Sequence, residues 1–276
     1  MTRSILITGC SSGIGLASAR MMRDRGWRVF ATVRKPEDAR RLEAEGLTAP
    51  LLDHADPASI ERAVEQVLDA TGGMLDALFN NAAHGLPGAV EDLPPEALAA
   101  IFQANVFGVQ DVTRRIIPVM RRQGHGRIIM HSSVLGYTPF PWRGAYVATK
   151  YALEGLTHTL RIEMRDTPIH ISLMNTGPVP TKIRENSIPH FERFVDWKSS
   201  PRRAQYESEL LPRLYEPSGK KDPFELPPEA VARKLAHACE ARRPRARYYV
   251  TKVAWISAAL QRLLPIRVTD RILGGY

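Results

Sequence analysis

An alternation along the chain limits its fold more than any other feature. Six short apolar runs, Ser4 to Gly9, Arg28 to Val33, Leu47 to Leu52, Leu75 to Asn80, Arg127 to Ser132 and His170 to Asn175, are separated by longer segments with helical periodicity. Continuous apolar runs are the mark of strands buried on both faces, and strand, helix, strand repetition makes neighbouring strands parallel. A later run, Arg247 to Thr251, follows a helix that opens with Pro227 and Pro228 and adds a further strand. The pattern predicts an α/β chain: a doubly wound sheet of about seven parallel strands with helices on both faces, in a single domain over 1–276.

Composition excludes more than it selects. Two cysteines, Cys10 and Cys239, make no disulfide framework, and "MTRS" runs straight into the first apolar run without signal-peptide organisation, so a reducing, cytoplasmic setting is expected. The apolar stretch Val253 to Leu260 is far shorter than the roughly 20 residues that span a bilayer. The net charge of +9 is concentrated: 242–276 holds eight Lys and Arg against Asp270 alone. The remainder is nearly balanced and carries no nucleic-acid module, so no nucleic-acid partner is expected. No metal site is expected either.

The first apolar run leads into "TGCSSGIG", Thr8 to Gly15, and then into a helix. Glycines there permit a tight turn and close approach to a ligand, and a helix N-terminus presents free N–H groups and a positive dipole end to a pyrophosphate. In a Rossmann-like pattern this predicts a dinucleotide site built on Gly9, Ser11, Ser12, Gly13, Ile14 and Gly15. At the end of the second strand an acid would bind the ribose 2′-hydroxyl of NAD. This chain has Val33 there, followed by Arg34, whose guanidinium suits a 2′-phosphate and favours NADP(H) over NAD.

Tyr146 and Lys150 stand four apart in a run of good helix formers, which stacks them on one helical face. A cation about 4 Å from a phenol, at an effective dielectric near 20, is worth about 4 kcal/mol, or about three pKa units. Such a phenol titrates near neutral pH, where general acid/base catalysis is most effective. Asn105 falls in the apolar stripe of Leu98, Ile101, Val109, Val112 and Ile116, so its amide needs a buried partner. Ser132 and Ser133 end the fifth run, where the C-terminal edge of such a sheet faces its ligand crevice.

Together these residues resemble the short-chain dehydrogenase/reductase family in its smaller single-domain form, over about the first 180 residues. They are "TGCSSGIG", Asp53, "NNAA" (Asn80 to Ala83), Asn105, Ser133, Tyr146 with Lys150, and "NTGPVPT" (Asn175 to Thr181). The family usually has glycine where this chain has Ala83 and often proline where it has Thr176. The resemblance implies that Tyr146 is the acid/base and that Ser133 orients the substrate oxygen. It also implies that Lys150 lowers the phenol pKa and binds the nicotinamide ribose, and that Asn105 anchors a water in a proton relay. The cofactor would also touch Asp53, His54, Asn80, Ala82, Pro178, Val179 and Thr181. Homodimers or homotetramers are expected on the same ground.

Between 181 and 228 the chain is polar, interrupted by Pro189, Pro201, Pro212, Pro217 and Pro223, yet rich in aromatics, which predicts a substrate lid. With Tyr137, Phe140 and Trp142, the lid residues Phe191, Phe194 and Trp197 suit a bulky apolar alcohol or carbonyl. This region resembles the retinol dehydrogenase and 17β-hydroxysteroid dehydrogenase branch, which implies a steroid, retinoid or aldehyde substrate. In the basic segment 242–276, Val253, Ile256, Leu260 and Leu263 form one side of a helix. Packing of that side on the domain is expected, with peripheral membrane contact as the alternative. A cofactor sensor on the same fold, without turnover, is the rival reading; the intact Ser133, Asn105, Tyr146 and Lys150 argue against it.

Overall fold

Residue alternation along each strand builds the molecule. In β1 (Ser4–Ile7), Ile5 and Ile7 enter one core, with Val231 and Leu235 of the helix Pro228–Glu240, while Leu6 enters a second on the opposite face. The same division separates Val29 from Phe30 in β2 (Arg28–Ala31) and Phe79 from Leu78 in β3 (Ala77–Asn80). With β4 (Gly126–Ser133), β5 (Ile169–Thr176) and β6 (Arg247–Tyr249) these make a parallel sheet in the order β2-β1-β3-β4-β5-β6. The computed structural model describes residues 2–215, 222 and 224–274. Pro217 and Pro223 of the expected lid therefore lie outside the described residues.

Six strands stand where the sequence suggested seven. The run Leu47 to Leu52 touches β2 only through isolated bridges, Phe30 to Thr48 and Val33 to Leu51. Pro50 causes the interruption: the amide of Ala31 reaches the Thr48 carbonyl and the amide of Leu52 reaches the Val33 carbonyl, but proline between them has no N–H to donate.

The crossover helices have local causes. In α1 (Gly13–Asp24), the inward face is Gly15, Ser18, Ala19 and Met22. α2 (Pro36–Ala44) starts on proline. α3 (Pro57–Thr71) is capped by Asp56, whose carboxylate accepts from the Ala58 amide at 3.0 Å, and ends on Gly72 in the left-handed region. α4 (Pro95–Phe102) and α5 (Gly108–Gln123) are joined by a π-turn at Gln103–Phe107. α6 (Gly144–Glu163) carries the Tyr/Lys pair, and α7 (Ile183–Phe194) begins the lid.

The lid has a core of its own. Phe191, Tyr206, Leu210 and Leu214 pack with Leu86, Ala97, Ile101 and Ala145. The Tyr206 hydroxyl accepts from the Ala89 amide and donates to Asp92, each at 2.8 Å. Trp142, with its φ of 63° in a region costly for a bulky residue by about 1–3 kcal/mol, is held there by packing on Tyr206 and by donating to Glu209. Among the described residues no helix is long and apolar enough to cross a membrane.

Candidate active site

β1 is flanked by β2 and β3, so successive crossovers leave it in opposite directions and a crevice opens at the C-terminal strand ends. The cleft found there is lined by Gly9, Ser11, Ser12, Gly13, Ile14, Gly15, Arg34, Asp53, His54, Ala82, Tyr146, Lys150 and Thr181, all singled out in the sequence. Gly9 and Gly13 have φ of +72° and +57°, and a Cβ on Gly9 would meet Ala82 at 2.9 Å. A Cβ on Gly15 would stand 2.1 Å from the Gly9 carbonyl oxygen. The α1 N-terminus carries no acid in its first turn, and the Ser12 side chain does not cap it. This cradle fits a dinucleotide pyrophosphate.

Gly15→Ala is expected to destabilise the turn by about 1–3 kcal/mol through overpacking and to weaken dinucleotide binding at least tenfold. Fluorescence titration and thermal unfolding of the same preparation check both; a variant with unchanged affinity would remove the cradle's role.

Three predicted contacts lie elsewhere. Asn80 shares the strand face of Leu78, so its side chain enters the core and donates to Thr113 Oγ1 at 2.9 Å. Its neighbour Asn81 takes the cleft position and donates to the Thr8 and Gly9 carbonyls. Pro178 and Val179 are not among the lining residues: Val179 packs on the core and the Pro178 carbonyl accepts from the Leu226 amide, so this part of the chain reaches the cleft from Thr181 onward, with Lys182, Ile183 and Asn186.

The predicted aromatic pocket is also corrected. None of Tyr137, Phe140, Trp142, Phe191, Phe194 and Trp197 lines the cleft. Phe191 is fully buried, while Trp142, Phe194 and Trp197 pack against the lid core.

Asn105 braces the site. Its Oδ1 accepts from the His84 amide at 3.0 Å, and its Nδ2 donates to the His84 carbonyl at 2.9 Å and to Thr149 Oγ1 at 3.2 Å. Thr149 in turn donates to the Tyr146 carbonyl. The side-chain donors of Asn105 are thus engaged within the protein. The π-turn carrying Asn105 also supplies the Ala104 carbonyl to His54 Nδ1 at 3.0 Å.

Lys150 Nζ donates to the His131 carbonyl at 2.7 Å and lies 5.5 Å from the Tyr146 ring centroid. Burial pulls its pKa down to about 8, against the pull of Glu154. Burial also pushes the Tyr146 phenol above its ordinary value, with the Ser133 hydrogen bond opposing it. This reverses the direction expected from a 4 Å charge pair: desolvation outweighs the ammonium, which is directed at a carbonyl.

Sequence reasoning missed the histidines that line the cleft beyond His54. His131, held between Asn81 Oδ1 at 3.0 Å and Thr176 Oγ1 at 2.5 Å, fills a position flanked by strand residues of β4. Thr176, where the family often has proline, thereby gains a partner. His84 stacks on His190 of α7 with centroids 3.8 Å apart. A polar imidazole directly after the apolar Ile128, Ile129 and Met130 was the available signal for His131; His84 offered none, because its place depends on the lid.

The short chain dehydrogenase family model matches residues 3–191. The oxidoreductase YbbO of Escherichia coli K12 is 40% identical over 275 residues, covering 100% of this chain and 95% of that protein. Human 17-beta-hydroxysteroid dehydrogenase type 1 is 34% identical over 264 residues, covering 90% of this chain and 77% of that protein. A short chain dehydrogenase/reductase from Burkholderia phymatum, solved in complex with NAD, superposes with a TM-score of 0.78 at 28% identity, covering 99% and 95% of the two chains. A glycine cradle at the switch point, a serine, tyrosine and lysine gathered beside it, and similarity along the full chain have one common explanation: the protein is an oxidoreductase of the short-chain dehydrogenase/reductase family.

Proposed function

We propose that this oxidoreductase interconverts a lipophilic alcohol and its carbonyl with NADP(H), using Tyr146 as the acid/base. The observation that carries the reading is the convergence of Tyr146 and Lys150 on the glycine cradle in one cleft. When bound, the nicotinamide supplies or accepts hydride. Tyr146 gives its proton to, or takes it from, the substrate oxygen, and Ser133 holds that oxygen in line. Lys150 brings positive charge beneath the phenol and a donor toward a ribose. Asn105 keeps the His84 loop and α6 in register.

NADP(H) is favoured by Arg34, exposed at the cleft and without an ion pair among the described residues, beside a buried Val33 where an acid would select NAD. Arg34→Ser is expected to weaken NADPH binding about 10- to 100-fold, as for loss of a charge-assisted hydrogen bond. NADH binding should be nearly unchanged. Paired fluorescence titrations check this, and equal losses for both cofactors would count against the assignment.

A steroid-like or other lipophilic substrate is supported by the similarity to 17-beta-hydroxysteroid dehydrogenase type 1. Exposed Phe107, Tyr151, Leu156 and Ile162 support a homodimer or homotetramer, and the unpaired, buried Cys10 and Cys239 support a cytoplasmic setting. The deciding experiment is NADPH-dependent turnover against a panel of apolar ketones and aldehydes. Tight cofactor binding without turnover on any of them would favour the sensor.

A further inference from the structure

The C-terminal helices are arranged inside out. On Lys252–Leu263 the shielded face carries the small or polar Ala254, Ser257, Ala258 and Gln261 with Val253 at its edge, while the large Trp255, Ile256, Leu260 and Leu263 face solvent. Trp255 is 63% exposed, Leu263 78% and Ile266, which opens the next helix, 75%. Val268 and Ile272 extend the apolar surface along that second helix, Ile266–Gly274. This corrects the expectation that Ile256, Leu260 and Leu263 pack on the domain: an amphipathic helix serving only the fold turns its apolar stripe inward.

Cations surround that surface. Lys252, Arg262, Arg267 and Arg271 are exposed on these two helices, with Asp270 as their one acid, and none forms an ion pair among the described residues. Elsewhere arginines do pair, as Arg20 with Glu45 and Arg247 with Glu154. The segment is also fixed near the cleft. The Tyr137 hydroxyl, just beyond Ser133, donates to the Ala254 carbonyl, and Thr251 caps the first helix while standing against Gly177 at the end of β5.

We infer that helices 252–263 and 266–274 dock this enzyme on an anionic lipid surface. Apolar side chains with an exposed tryptophan enter the headgroup boundary, and the lysine and three arginines meet the negative surface potential. Charge favours lipid over a second copy of this chain, because a two-fold contact would place the same cations against one another. The inference stands on the surface alone and does not depend on which carbonyl is reduced. Docking in this orientation brings the Ser133 turn and its cleft close to dissolved lipophilic substrate.

The test is sedimentation of the full chain with vesicles of phosphatidylcholine alone and of phosphatidylcholine containing phosphatidylserine, with analytical ultracentrifugation of the free protein. Binding to the anionic vesicles only, weakened by salt, is the expected result. Arg262→Glu/Arg267→Glu/Arg271→Glu should reduce that binding on the order of 100-fold. Leu263→Glu/Ile266→Glu should abolish it. Both variants should keep the wild-type thermal midpoint and cofactor affinity, since these side chains are exposed. Failure to bind anionic vesicles, or equal binding by both variants, would overturn the inference. So would self-association lost in Leu263→Glu/Ile266→Glu, which would show a second copy on this face. Cofactor affinity reads the oxidoreductase assignment separately.

Discussion

Tyr146→Phe is expected to lower kcat by about 10²–10⁴-fold, the usual worth of a positioned general acid, while NADPH affinity changes little. The ring of Tyr146 packs against the lid core, so phenylalanine keeps the packing and removes only the hydroxyl. The phenol is the acidic hydroxyl at this end of the cleft, and Ser133, itself a weak acid, cannot replace it. The pH dependence follows from the same environment. Burial holds the phenol protonated through neutral pH, whereas Lys150 loses its charge near its pKa of about 8. Reduction should therefore hold level from neutral pH to about 8 and then decline as the positive charge beneath the phenol disappears. Steady-state rates with NADPH from pH 6 to 10, beside cofactor titrations of the variant, check both parts. A variant with more than a tenth of wild-type kcat, or one that loses cofactor affinity in proportion, would refute the role assigned to Tyr146.

The second large effect is acid destabilisation. His54 donates through Nδ1 to the Ala104 carbonyl, which leaves its buried Nε2 as an unpaired acceptor. Burial lowers the pKa of His54 to about 4, and burial together with His190 and Arg34 lowers that of His84 to about 4. Both are depressed below the ordinary histidine value of about 6.5, so between those limits the unfolded chain binds more protons than the folded one. Stability is therefore full above about pH 6.5, falls as pH drops through the window and levels off below about 4. Each imidazole contributes on the order of 3 kcal/mol at most. His131, lowered to about 3 by burial and Lys150, adds in the same direction. Urea unfolding at a series of pH values should show this slope, and His54→Asn, which keeps a donor for Ala104, should flatten it by about one proton. A stability that is constant from pH 6.5 to 5 would exclude the effect.

Legibility differed from one part of the site to another. Tyr146, Lys150, Ser133 and the glycines were readable because each pair is close in sequence or joined to one element, so helix or strand periodicity fixes its direction. Asn80 was misplaced although the same periodicity was available: its parity with Leu78 turns it into the core and gives the cleft to Asn81. The aromatic pocket failed for another reason. Aromatic residues in a long insertion have a pocket or one another to pack against, and only the folded lid shows that Phe191, Trp142 and Trp197 gather on Tyr206.

The parallel α/β architecture, the cradle at the end of β1 and the shared face of Tyr146 and Lys150 on α6 are legible along the chain. These follow from periods of two and 3.6 and from glycine's backbone freedom, all of which are local. The electrostatic balance at Tyr146, the histidines of the cleft, and the face of the C-terminal helix that meets water are set by the folded molecule. Each of these depends on what is packed against a group from a distant part of the chain. Desolvation and burial are properties of that surrounding, and a residue's neighbours in sequence do not specify it.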